Sequence, residues 1–448
     1  MAHRSLRLIA PTLAGLLAVA TNGAESRPNI LVLVSDDHGY ADAGFQGSKE
    51  IPTPHLDRLC ASGIRCTSGY ASHPFCSPTR AGLMTGRYQQ RFGHEMNPQY
   101  DPADARQGLP LSETLLPVHL RQAGYVTGWI GKWHLGAAAT HTPQARGFDE
   151  TFGFLGGGHQ FQNWQPGAGE YVIPLRRNGE AVEAEGHLTT QLGSEAASFV
   201  GRHTNQPWFL YLAFNAPHSP QQPTPEARAR FAHIPGTRGA YCAQVSLMDD
   251  AVGQVLDALD ETRQRERTLV FFFSDNGGQT AEGTKADNGP LRGAKGETYE
   301  GGVRVPYLIS WPARLAAGKT YDQPVSSLDV FATALAAAGK PMPADKIYDS
   351  VDLVPFLSGA TTGSPHAQLY WRVGGGVKYG LRAGDWKLVR NQDHPPELYN
   401  LATDLGERHD RAQAEPEKLK DLQSALDAWD RTLVPPAFRG LGQQKKIR

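Results

Sequence analysis

The chain has 448 residues, 40% of them hydrophobic and 20% charged, with 44 basic side chains against 45 acidic ones and a net charge of −1. That composition excludes a disordered chain, and the charge balance excludes a protein that grips nucleic acid through a global basic field. The length allows two or three domains, or one large α/β domain with a smaller appendage.

The N-terminus begins with basic residues at His3, Arg4 and Arg7, continues in an apolar run over residues 8–20, and offers small-residue cleavage sites up to Ala24. This is the pattern of a secretory leader, expected to span residues 1–24; the run is short for a membrane anchor. The mature protein is expected to be exported, to the periplasm or beyond, without stable membrane insertion. Residues 29–34 read as a buried strand that runs into Asp36 and Asp37. A short helix follows over 53–63, then a strand around Cys66. Residues 113–124 read as a helix and 126–130 as a strand. The Gly-, Asn- and Gln-rich stretch 153–179 reads as a long loop. Residues 208–214 form another buried strand, ending at Asn215 to His218. The helix over 238–260 carries Met248, Val252, Val255 and Leu259 on one stripe. Residues 268–273 are a further strand, ending at Asp275 and Asn276.

The alternation of strand and helix argues for a mostly parallel sheet covered on both faces. It assigns residues 25–345 to a main domain. Beyond about 345 the character changes. Residues 370–372, 378–382 and 386–389 read as strands of a small antiparallel sheet, and 416–433 as an amphipathic helix, so 346–448 is expected to be a small C-terminal subdomain. Residues 443–448 are a basic tail. Of the four cysteines, Cys60 and Cys66 could pair; buried free thiols are the plainer reading for Cys60, Cys66 and Cys242.

Three strands run into polar clusters, and ligands of open α/β sheets sit at the carboxyl ends of strands. Asp36 and Asp37 repel each other unless a positive charge lies between them. With Asp275 and Asn276 they form an oxygen-only set that suits calcium or magnesium better than zinc. His38 reads as structural. Cys76 stands at an expected helix N-terminus in Cys76-Ser77-Pro78-Thr79-Arg80, and no Cys–His–Asn arrangement supports a cysteine hydrolase. Lys132 and His134, two apart on an extended segment, are expected on one side of it. His218 follows Ala216-Pro217, and Lys295 lies in the glycine-rich stretch 291–302.

These stretches together resemble the type I sulfatases of the alkaline phosphatase superfamily. Cys76 to Arg80, continued by residues 81–87, is similar to that family's signature. Gly131-Lys132-Trp133-His134-Leu135-Gly136, Ala216-Pro217-His218, residues 291–302 and Glu397-Leu398-Tyr399-Asn400-Leu401 match further elements, with Asn400 where Asp is usual. The resemblance runs from Arg27 to about Arg411. It implies an alkaline-phosphatase-like, mostly parallel sheet sandwiched by helices, with a smaller C-terminal α+β subdomain of antiparallel sheet plus helix. It implies that Cys76 is oxidised to formylglycine by a formylglycine-generating or anaerobic sulfatase-maturating enzyme. One Ca2+ is implied beside it, on Asp36, Asp37, Asp275 and Asn276 with the modified Cys76. Arg80 steadies the formylglycine, His134 sits against it, Lys132 and Lys295 bind sulfate, and His218 protonates the leaving oxygen. In the implied reaction one hydroxyl of the hydrated aldehyde attacks sulfur and the substrate alcohol leaves; the second then loses its proton, and the sulfated hemiacetal collapses to aldehyde plus inorganic sulfate.

The polar loops and the export signal favour a sulfated carbohydrate as substrate, a polysaccharide or oligosaccharide fragment. Candidate contacts are His94, Glu95, Asn97, His159, Gln160, Asn163, Trp164, Arg292, Trp371 and Arg372. Rival readings are a phosphonate or phosphate monoester hydrolase of the same superfamily, a two-zinc phosphatase, and a silent carbohydrate-binding relative in which Cys76 is never oxidised.

Overall fold

A computed structural model describes residues 27–440 apart from 168, 184 and 282. The expected leader and the basic tail lie outside the described residues. A ten-stranded sheet forms the frame. Its centre is five parallel strands in the spatial order Thr268–Ser274, Asn29–Ser35, Trp208–Ala213, Val126–Lys132 and Glu150–Phe154. Antiparallel partners extend it on both sides, Tyr307–Ser310 on one and Leu175–Arg177 on the other.

The central strands are continuous apolar runs because both faces are covered. Side chains alternate along a strand. Ile30, Val32 and Val34 accordingly join one core cluster with Leu83, Leu116 and Phe331. Leu31 and Leu33 join the opposite cluster, with the stripe Met248, Val252, Val255 and Leu259 of the helix Gly236–Glu261. The sheet is thus sandwiched between helices, and its carboxyl edge is left free for polar groups.

Proline sharpens two helix starts relative to expectation. Pro54 opens the helix Pro54–Ala61, and Leu116-Pro117 opens Leu116–Gln122; a fixed φ and a missing N–H suit the first turn. The stretch 153–179 is less of a loop than its composition predicts. It begins inside the strand Glu150–Phe154 and ends in Leu175–Arg177, because backbone pairing with Val126–Lys132 outweighs glycine content. Cys60 and Cys66 do not pair, in line with the plainer reading: all four cysteines are free thiols, with Cys60 half-buried and Cys66 buried.

A second, four-stranded antiparallel sheet comprises Gln368–Val373, Lys378–Ala383, Trp386–Asn391 and Glu397–Asn400. The helix Pro416–Asp430 covers it through Leu422, Leu426 and Trp429, which pack with Leu381, Leu388 and Leu398. No helix among the described residues is long and apolar enough to cross a membrane.

Candidate active site

The polar strand ends converge. Asp36 and Asp37 follow the first central strand, Asp275 and Asn276 follow its neighbour, and all four are buried. Cys76 begins the helix Cys76–Thr85, every residue of which is buried. Its Sγ lies 3.5 Å from Asp36 Oδ1. Asn97 Oδ1 accepts from Ser77 N at 3.1 Å, so this loop side chain caps the first turn of the helix.

Three cations face the three carboxylates. Arg80 donates to Asp275 Oδ2 through Nε at 3.0 Å and Nη2 at 2.6 Å, and to the Tyr211 hydroxyl at 3.2 Å. Lys132 Nζ lies 2.5 Å from Asp36 Oδ2. Lys295 Nζ lies 2.7 Å from Asp37 Oδ1 and 2.8 Å from Oδ2. His218 Nε2 stands 3.6 Å from Asp37 Oδ2, while its Nδ1 donates to Ser219 O at 2.7 Å. Arg80, on the helix, and Lys132, at the end of a central strand, are each fully buried.

Lys132 and His134 do not reach the cluster by strand alternation. The strand ends at Lys132, and His134 takes a left-handed φ of 58°. That conformation is held in place: His134 N donates to Leu155 O at 3.2 Å, and Ser77 Oγ donates to His134 O at 2.5 Å. His94 Nε2 in turn lies 2.6 Å from Ser77 Oγ. Two glycines let this chain crossing close. A Cβ at Gly131 would sit 1.9 Å from Ala213 O, and one at Gly157 would sit 2.5 Å from His134 Nε2.

The electrostatics follow from burial set against charge. Burial pushes the Cys76 thiol up to about 12 even though Lys132 and Lys295 pull the other way. As a thiol it is therefore neutral and a poor nucleophile. Burial also opposes ionisation of Asp37, but Lys295 and His218 outweigh it and hold that carboxyl at about 2. Burial and then Asp36 push Asp275 up to about 6 against Arg80. Burial, with Lys295 next, lowers His218 to about 4. Its titration thus lies below the neutral range that an isolated imidazole predicts.

A divalent cation fits this donor set. Ligand atoms of Asp36, Asp37, Cys76 and His218 lie within 4.8 Å of one another. Asn276 Oδ1 is buried without a hydrogen-bond partner, as are both ring nitrogens of His134. Buried polar atoms are nearly always satisfied, so these orphans mark a space that a bound group completes.

Most of the expected loop contacts do not face this centre. His159 is fully buried, with both ring nitrogens against backbone carbonyls, Gln160 O at 2.7 Å and Ile173 O at 2.8 Å. It has no polar atom left for substrate. Arg292 donates to the Tyr399 hydroxyl at 2.8 Å and to Glu407 O at 3.0 Å, tying the lysine loop to the C-terminal sheet rather than offering itself to an anion. Glu95 and Arg372 are buried partners at 2.9 Å, and Trp371 Nε1 donates to Ala71 O. Trp164 packs edge-on against His159, while Gln160 is half-buried and Asn163 exposed. Sequence reasoning missed Tyr171, whose ring centroid lies 6.2 Å from that of His218 and which is 37% exposed. No spacing marks it, because only the path of the loop brings it there.

Residues 28–340 match the family model of the sulfatases. The chain belongs to the sulfatase family. It is accordingly a sulfuric ester hydrolase, and the cluster around Cys76 lies within the matched region. Residues 294–429 also match a C-terminal model of N-sulphoglucosamine sulphohydrolase. The sulfatase is 38% identical over 370 residues to the N-acetylgalactosamine-6-sulfatase of Canis lupus familiaris, covering 77% of this chain and 68% of that one. It is 31% identical to the steryl-sulfatase of Mus musculus, over 94% of this chain and 85% of the relative. Among solved structures it resembles Ps i-CgsB in complex with k-i-k-neocarrahexaose. The TM-score is 0.88 at 35% identity, covering 94% of this chain and 96% of the other.

Proposed function

We propose that this sulfatase removes sulfate from a sulfated carbohydrate, using Cys76 after its oxidation to formylglycine by a maturating enzyme. The observation that carries the reading is the burial of Arg80, Lys132 and Lys295 against three carboxylates around Cys76. The similarity to a structure holding a neocarrahexaose supports the sugar as substrate. Formylglycine, once hydrated, would supply the hydroxyl for attack on sulfur. Asp36, Asp37, Asp275 and Asn276 would hold a Ca2+ ion, whose positive charge would favour the ionised form of that hydroxyl.

The chain's own residues do the rest. Lys132 and Lys295 hold sulfate oxygens and offset charge that grows on them in the transition state. Arg80 fixes Asp275 and keeps the base of the cluster rigid. The orphaned ring of His134 hydrogen-bonds the matured side chain at position 76. His218 donates a proton to the leaving sugar oxygen. Burial, and after it Lys295, lowers its affinity for protons, and the negative charge of a bound sulfate ester opposes Lys295 and raises that affinity again. Export follows from the basic, apolar and small-residue pattern of residues 1–24.

Sulfate release from a panel of sulfated mono- and oligosaccharides tests the reading, with a steroid sulfate and an aryl phosphate alongside and Cys76→Ala as control. Release from one sugar linkage, lost in the variant, is the expected result. Full activity on the steroid sulfate with none on sugars would sink the substrate, and preferred turnover of the phosphate would sink the sulfatase chemistry.

A further inference from the structure

Beside the catalytic cluster lies a cleft of about 450 Å3, within the range of about 300–1,000 Å3 that ligand pockets occupy. Tyr100, Trp129, Gln144 and Arg176 form its walls. Next to it is a much smaller space of about 10 Å3. Tyr100, Ala137 and Leu155 line both spaces, and His134 and Glu170 line the smaller one. The cleft thus adjoins the space beside His134.

The chemistry of the walls is specific. Leu175 is buried in the core under the strand Leu175–Arg177, so its neighbour Arg176 projects from the other face. Arg176 Nη1 donates to Gly179 O at 2.7 Å. Its remaining guanidinium nitrogens have no partner among the described residues, and no carboxylate pairs with it. An arginine in a concave wall without a carboxylate offers two parallel N–H groups to an oxyanion. The polar walls around it are anchored in advance. Gln144 Nε2 donates to Thr151 Oγ1 at 2.7 Å, and Asn178 Oδ1 accepts from Thr151 N at 2.8 Å. The half-buried Tyr100 adds an aromatic surface of the kind on which an apolar sugar face rests.

We propose that this cleft is a second sugar subsite. It holds a neighbouring sulfated unit of the substrate chain, with that unit's sulfate on Arg176 and its ring against Tyr100. The proposal rests on the reading that the substrate is a sulfated carbohydrate. Under it the enzyme acts faster on a chain carrying sulfate on adjacent units than on the isolated sulfated sugar.

Steady-state kinetics of the matured enzyme with a sulfated monosaccharide and with an oligosaccharide built from it test the subsite. Wild type is compared with Arg176→Ala, Arg176→Lys and Tyr100→Ala, each first shown by thermal melting to be folded. Arg176→Ala is expected to raise KM for the oligosaccharide about tenfold, the loss of one charge-assisted contact. kcat should hold, the monosaccharide constants should not move, and Arg176→Lys should recover part of the loss. Equal KM for wild type and Arg176→Ala on the oligosaccharide overturns the subsite alone. So does an equal loss on both substrates. A wild-type enzyme that turns over aryl sulfate but no sulfated sugar overturns the substrate reading and the subsite with it.

Discussion

Around Cys76, Arg80, Lys132 and Lys295 face Asp36, Asp37 and Asp275. Against the C-terminal sheet, Arg304, Arg382 and Lys387 gather about Glu300 and Glu407, equally buried. In this second cluster Glu300 accepts from the Tyr70 hydroxyl at 2.6 Å, from Lys387 at 2.9 Å and from Arg304 at 3.3 Å. Glu407 Oε2 accepts from Glu300 N at 2.8 Å, and Lys387 also lies 4.2 Å above the Trp371 ring. There the side chains pair with one another and tie the C-terminal sheet to the helix Glu300–Val303, with Glu407 Oε1 the one atom of the two carboxylates left without a hydrogen-bond partner. Around Cys76 they leave Asn276 Oδ1 and both nitrogens of His134 unmatched. Buried charge by itself does not mark a site. The two differ in how many atoms are left unmatched and where: three at the ends of the central strands beside Cys76, against Glu407 Oε1 alone in the second cluster, and a group the chain does not itself supply would satisfy the three.

Breaking each cluster should therefore read out differently. Cys76→Ala should lower sulfate release at least about a thousandfold, since it removes the nucleophile, while a thermal melt stays near wild type. Prolonged dialysis against a chelator should cut turnover by at least about a hundredfold, as expected when charge stabilisation at a reacting centre is lost. Added Ca2+ should restore it, and a chelated enzyme that keeps full activity would remove the metal from the reading. In the other cluster Lys387→Met takes from the buried Glu300 carboxylate the nearer of its two cation partners, leaving Arg304 at 3.3 Å. Unfolding free energy should fall by about 3–5 kcal/mol, measured by denaturant titration, with KM for a small aryl sulfate unchanged.

The smallest effect concerns pH. Burial, and after it Glu300, push Glu407 from 4.5 up to about 8 against Lys387. Between those values the folded chain holds a proton that the unfolded chain has released. Stability from this group is therefore full below about pH 4.5 and declines as pH rises toward 8. Glu407→Gln should flatten that decline, raising the melting temperature at pH 8 by about 1–3 °C relative to wild type. Equal slopes in the two proteins would show that Glu407 is ionised in the folded state.

The strands and the positions that gather around Cys76 were legible in the sequence for local reasons. Residues 29–35, 208–213 and 268–274 are apolar runs that end in polar residues, and such a run reads the same wherever it sits. Cys76, Lys132, His218 and Lys295 are carried by short motifs with glycine and proline at fixed offsets. The substrate loops were not legible. Glu95, in a loop by sequence, and Arg372, on an expected strand, are separated by 277 positions and bury each other as a pair. His159 and Arg292 are likewise engaged by the backbone and by the C-terminal sheet. A polar residue's partner is not written beside it.

The sequence by itself determined the order of strands and helices, the oxygen-rich strand ends and the cysteine motif, because each depends on neighbours a few residues away. Only the tertiary structure decided which polar side chains are left open. It turned His134 into the cluster through a left-handed backbone, placed Tyr171 beside His218, and left Arg176 without a carboxylate partner among the described residues. Those outcomes depend on which distant segments meet, and desolvation then fixes which groups are satisfied and which still have room for a ligand.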